Sequence, residues 1–164
     1  MDNEVDCLCE QIAEYMGKIS SHTLTAEFLK LMEAVSDLEN IGDTIGTNMV
    51  VLGNERISSG VSISDTTKNM LSGFNQVVFK AVNSAVQAVS QNNKEVALTV
   101  IGMKSEIDNL ANSAAIHQAQ RLVANEPNRI PAYTIEMDII EKQKRIYYFA
   151  KRMAKSVISE PAET

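Results

Sequence analysis

"SDLENIGDTIGTN", residues 36–48, carries two acidic side chains, Glu39 and Asp43, four positions apart. On an α-helix that spacing stacks like charges one turn apart, at a cost of about 0.2–0.5 kcal/mol. The surrounding apolar residues recur at helical intervals: Phe28, Leu31, Met32, Val35, Leu38, Ile45, Met49 and Leu52. The stretch therefore reads as the middle of an amphipathic helix. Projected at roughly 100° per residue, Glu39 and Asp43 fall on one shoulder of the apolar stripe and Asp37 on the other. Gly42 and Gly46 fall on the inner face, where a missing side chain lets a neighbouring helix approach closely despite the propensity cost of glycine.

The same period runs through nearly the whole chain, and no alternating strand pattern interrupts it. It predicts five helices, over about 2–20, 25–54, 66–91, 96–124 and 132–158. Between them lie "SSHTLTAEF", with Thr25 as a candidate N-cap, then "GNERISSGVSISD", "QNNKE" and the proline-broken "NEPNRIPAY". The tail "SEPAET" is expected to fray. Long helices with short connections imply an all-α antiparallel bundle. A faint internal repeat pairs "EVDCL" (4–8) with "EIDNL" (106–110), each leading through a break into a long amphipathic helix.

At 164 residues and 45% apolar content the chain suits one domain with a real core. A net charge of −6 without a Lys/Arg-rich block argues against nucleic acid as a partner, because phosphate neutralisation needs clustered cations. There is no Trp, and Tyr and Phe are few, so stacking platforms for bases are scarce. Cys7 and Cys9 point in different directions on a helix, which disfavours a disulfide between them and fits a reducing cytosol. No apolar run approaches the roughly 20 residues of a membrane span, and the charged N-terminus is not a signal peptide. The chain reads as water-soluble.

In the first helix Asp2 and Asp6 repeat the spacing of Glu39 and Asp43 with a similar offset from the apolar stripe. If these two helices form an antiparallel hairpin, four carboxylates converge at one boundary, with no Lys or Arg beside them. Partly buried anions without a counter-charge are costly, so a bound cation is the expected compensation. Oxygen ligands favour Mg²⁺, Mn²⁺, Ca²⁺ or iron. The alternative is an ordinary solvated acidic face.

"DLENIGD" resembles the "DLERIGDH" signature of the PhoU family. The longer stretch from Val5 to Gly53, "HQAQRL" (117–122) and "YTIEMDIIEKQKRI" (133–146) are similar to the cytoplasmic PhoU-type tail of bacterial sodium/phosphate cotransporters. The resemblance covers most of the chain in helix order. It implies two three-helix repeats, a partial first repeat over 1–54 that begins at its second helix, and a second repeat over 62–159. It also implies Asp/Glu-x-x-x-Asp pairs that ligate clustered metal ions, with iron, manganese, magnesium or zinc as candidates. Matching positions are Asp2, Asp6, Glu39 and Asp43; Asn40 and Thr44 depart from the usual Arg and His. The second repeat departs further, because its pairs read Lys104–Asp108 and Lys144–Tyr148. A lysine in each pair would repel a cation and turn to Asp108 or Glu141, leaving at most one metal site, in the first repeat.

The resemblance further implies a regulatory, non-enzymatic domain on the cytoplasmic side of the cell membrane, working with the membrane transporter portion of the same or an associated protein. Apolar surface left by the absent first helix would favour a homo-oligomer. A metal-free helical adaptor and a carboxylate-metal hydrolase are the competing readings. The second lacks Glu-x-x-His pairs and any His near the acidic shoulder. His117 and Arg121 share a helix face and suit packing or hydrogen bonding, while His22 falls in a break. "RIYYFAKRMAK" (145–155) sets Ile146, Phe149 and Met153 beneath a basic outer side, suited to solvent, an acidic partner or an anionic membrane leaflet.

Overall fold

A computed structural model describes residues 2–19, 26–123 and 128–159, with side chains over 6–18, 28–123 and 128–159. His22, Thr25 and the tail from 160 lie outside the described residues, as do the side chains of Asp2 and Val5. The helices are α1 (Asp2–Ile19), α2 (Ala26–Asp43), α3 (Val50–Ser58), α4 (Asp65–Ser90), α5 (Lys94–Gly102), α6 (Lys104–Leu122) and α7 (Arg129–Ile158). A π-helical turn, Thr44–Met49, joins α2 to α3 without leaving right-handed helical dihedrals at its two ends. At Met103 the i to i−4 ladder runs on, with Met103 N–H donating to Thr99 O and Ile107 N–H to Met103 O, so α5 and α6 are one rod. The result is an all-α bundle of five rods. Among the described residues no helix is long and apolar enough to cross a membrane.

Local chemistry sets the corners. Gly60 has φ +62°, a conformation open to glycine, and Val61 N–H reaches back to Arg56 O to close α3. The Ser64 hydroxyl caps α4 by accepting from Thr67 N–H. "QNNKE" uses its two asparagines differently. Asn92 takes a left-handed φ of 48°, while the Asn93 side chain accepts from the N–H groups of Glu95 and Val96 to start α5. The start of α7 corrects the sequence reading. It begins at Arg129, and Pro131 sits in its first turn, where a missing N–H breaks no helical bond.

The 30-residue α7 is the central rod, packing on α2, α4, α5 and α6, while α1 packs chiefly on α2. The main core combines bulky Phe74, Ile107, Ile140 and Met153 with many fully buried alanines, including Ala81, Ala85, Ala97, Ala150 and Ala154. Small side chains at these contacts set how closely α4, α5 and α7 approach. A second small cluster joins Val61, Ala132 and Ile135 beside the turn into α4.

The inner face of α2 also differs from expectation. Ala34, Asp37, Ile41 and, at the π turn, Thr44 are buried, whereas Leu31, Leu38 and Ile45 are exposed. The helix carries two apolar ridges, and α7 takes the one with smaller residues. Asp37, expected at the outer shoulder, therefore points inward.

Replacing Ala85 with Leu should destabilise the fold by about 1–3 kcal/mol in urea unfolding, because the helix contact has no room for the added carbons. Val86→Leu, one residue away on the exposed side, should stay within about 0.5 kcal/mol.

Candidate functional site

The acidic hairpin comes first. Cys9 lies within electrostatic reach of both Asp6 and Glu39, and burial together with those two carboxylates raises its thiol pKa. Residue 9 near residue 39, with only six residues between Ile19 and Ala26, means α1 and α2 run antiparallel. At about 1.5 Å per residue, four residues towards the start of α1 match four towards the end of α2, which brings position 5 level with Asp43 and carries position 2 about one turn past it. Glu39 and Asp6 are half-buried and Asp43 is exposed. Among the described residues, no three Asp, Glu, His or Cys side chains stand close enough together to hold a metal ion. As placed, Asp6, Glu39 and Asp43 do not by themselves make a metal-binding set. Cys7 and Cys9 are free thiols.

Just beyond the motif, Thr44 Oγ1 donates to Asn40 O at 2.7 Å, and Asn48 Nδ2 donates to Asp43 O at 3.4 Å. Back-bonding of this kind competes with the helical ladder, and flanking Gly42 and Gly46 lower helix propensity. Together they account for the π turn at the end of the acidic motif. Nothing in the spacing of the sequence forecasts it.

The second-half positions Lys104, Asp108, Lys144 and Tyr148 all line one groove between α6 and α7. Lys104 Nζ is bonded to Asp108 Oδ2, and Lys144 Nζ donates to Glu141 Oε1 at 3.0 Å. These are the partners the spacing offers the two lysines. The bond from Lys104, with Lys144 and Lys151 nearby, holds the Asp108 carboxyl below the usual carboxylate range. On the floor, Tyr147 is buried and its hydroxyl donates to Val100 O at 3.1 Å. Burial, then the charge of Asp108, pushes that phenol up to about 12, so it stays protonated as a donor.

His117 and Arg121 meet a third group that the sequence did not single out, the fully buried Thr67. Arg121 Nη1 donates to Thr67 Oγ1 at 2.6 Å, His117 Nε2 lies 3.3 Å from the same oxygen, and Ser64 Oγ lies 3.0 Å from it. Behind them is Glu136, with no exposed surface. Arg121 and Arg129 approach its two oxygens at 3.8 and 3.7 Å, and Arg129 Nη2 donates to Gln118 Oε1 at 3.0 Å. Burial raises the Glu136 pKa, and the two guanidinium groups oppose the shift. Among the described residues neither Glu136 oxygen has a hydrogen bond. A signal for this site was present: Glu136 and Gln143 occupy the 3–4 residue period of Ala132, Ile135, Ile140 and Ile146, where an apolar side chain is expected. Arg129 was hidden by its neighbouring proline break.

A second buried acid ties the hairpin to the bundle. Asp37 is 2% exposed and forms an ion pair with Arg152, whose Nε lies 3.4 Å from Asp37 Oδ2, with burial raising its pKa against the pull of Arg152. Both buried carboxylates thus sit at helix contacts of α7 and pair with cations.

A double-mutant cycle tests the Glu136 cluster. Glu136→Leu and Arg129→Met should each cost about 3–5 kcal/mol, since each strands a buried opposite charge. The double variant should be less destabilised than their sum by about 1–3 kcal/mol. Strict additivity in urea unfolding would show that the two charges do not act as a pair.

Comparison with protein-family models, with curated proteins and with solved structures finds no match to this chain.

Proposed function

We propose that this chain is a non-enzymatic regulatory helical domain of PhoU type, acting with a sodium-dependent phosphate transporter at the cytoplasmic side of the membrane. The observation that carries the reading is the "DLENIGD" motif at 37–43, set on an antiparallel helix pair. Its Asp37 is locked to the central rod through Arg152. A displacement of the α1–α2 pair by a partner would pull on that buried contact, and through α7 on the rest of the bundle. The exposed ridge of Leu31, Leu38 and Ile45 offers apolar surface for the partner or for a second copy of the chain.

The reading needs no reaction step. The buried acids are engaged with arginines at helix contacts, and the described carboxylates of the first half form no ready metal-binding set. A single divalent ion at the open end of the α1–α2 pair is the most the proposal assigns.

Sodium-driven phosphate uptake, measured in vesicles containing such a transporter with and without this chain, is the direct test. The chain should change the uptake rate, and Asp37→Asn combined with Arg152→Met should weaken that effect while the helical circular dichroism signal is kept. Uptake that is indifferent to the chain would count against the proposal. Equilibrium dialysis against Mn²⁺ should find no more than one ion per chain, reduced by Glu39→Gln; two ions would contradict it. Hydrolysis of a phosphoester with added Mn²⁺, abolished by Glu39→Gln, would replace this reading with the enzymatic one.

A further inference from the structure

We propose that the groove between α6 and α7 binds a small organic phosphate monoester, its phosphate held by the lysines and an aromatic or apolar body laid on the tyrosine floor. The inference holds whether or not the chain serves a phosphate transporter, because it rests on the groove alone.

The groove has a volume of about 460 Å³, within the range of pockets that take small ligands. Five cations line it, Lys104, Lys142, Lys144, Arg145 and Lys151, against two acids. Asp108 and Glu141 engage Lys104 and Lys144. Among the described residues Lys142, Arg145 and Lys151 form no ion pair, Lys151 acting on Asp108 only at longer range, in a chain whose net charge is −6. Crowded like charges repel, and lysine ammonium groups suit phosphate as point charges. A dianionic phosphate matches that excess better than a monoanionic carboxylate.

The floor supplies the second half of the recognition. Ile107 and Tyr147 are buried beneath the cations. The Tyr148 ring is 55% exposed, held edge-on against Phe149 at 5.7 Å, with the Arg152 guanidinium 5.9 Å from its centroid. A ring fixed in this way offers an open face to a planar group at little entropic cost. Inorganic phosphate would leave that surface unused. A concave groove also suits a discrete molecule better than a flat lipid surface, although both carry the same phosphate chemistry.

Calorimetric titration of the whole chain at low salt, with residue-resolved NMR shifts, separates the sources. The probes are phenyl phosphate, inorganic phosphate and phosphatidylglycerol vesicles. Phenyl phosphate should bind one per chain, about tenfold tighter than inorganic phosphate, with shifts centred on Ile107 and Tyr148. Lys151→Glu should weaken it by roughly tenfold, and added salt should weaken it further. Tyr148→Ala, at an exposed position, should bring phenyl phosphate down to the level of inorganic phosphate. The proposal is overturned by absence of saturation at roughly 10 mM phenyl phosphate, by equal affinity for the two soluble probes, by shifts centred elsewhere, or by binding to vesicles alone.

Discussion

The packing of α7 against most of the other helices is the constraint on which the structure depends. A 30-residue rod can meet so many neighbours only if side chains at the crossings are small where backbones approach and large where gaps remain. The sequence meets that demand with alanines at 81, 85, 97, 150 and 154 and with Phe74, Ile107 and Ile140 between them. Helix propensity contributes a weak bias, but burial of the α7 face holds the rods in place. By the same logic α1 is the least anchored element. It rests chiefly on α2, and none of its described side chains is buried.

Within this apolar frame the charges at Glu136 and Asp37 stand out. A buried ion pair is a poor source of stability, because desolvation offsets most of the attraction. Its effect here is selective. Glu136 meets Arg121 of α6, and Asp37 of α2 meets Arg152 of α7, so each pair bears on how α7 is rotated and shifted against its neighbour. The contact between Asp37 and Arg152 also links the acidic motif of the first half to the basic face of α7. Any partner that moves the α1–α2 pair has a mechanical route into the bundle.

Much of this architecture was legible in the sequence. The all-α class, five rods and the limits of α4 and α7 to within a few residues follow from apolar periodicity and the breaks between its runs. The side of α2 that meets α7 did not follow. Leu31, Leu38 and Ile45 outweigh Ala34 and Ile41 in any projection, yet the choice between the ridges depends on which one admits the neighbouring backbone. The π turn was equally hidden, because it arises from the Thr44 back-bond acting beside two glycines. Lys104, Asp108, Lys144 and Tyr148 share one groove, but only comparison of the two halves through the family resemblance marked them as a set. His117 and Arg121 were visible as a pair, whereas Thr67, which they both contact, lies about fifty residues away in the chain.

Residue-resolved native-state hydrogen exchange tests the central role of α7 most directly. Amides on the buried faces of α7 and α4 should exchange only through global unfolding, with α1 opening at a distinctly lower free energy and independently of the bundle. Equal protection of α1 and α7, or a central rod that opens before the α1–α2 pair, would contradict the account.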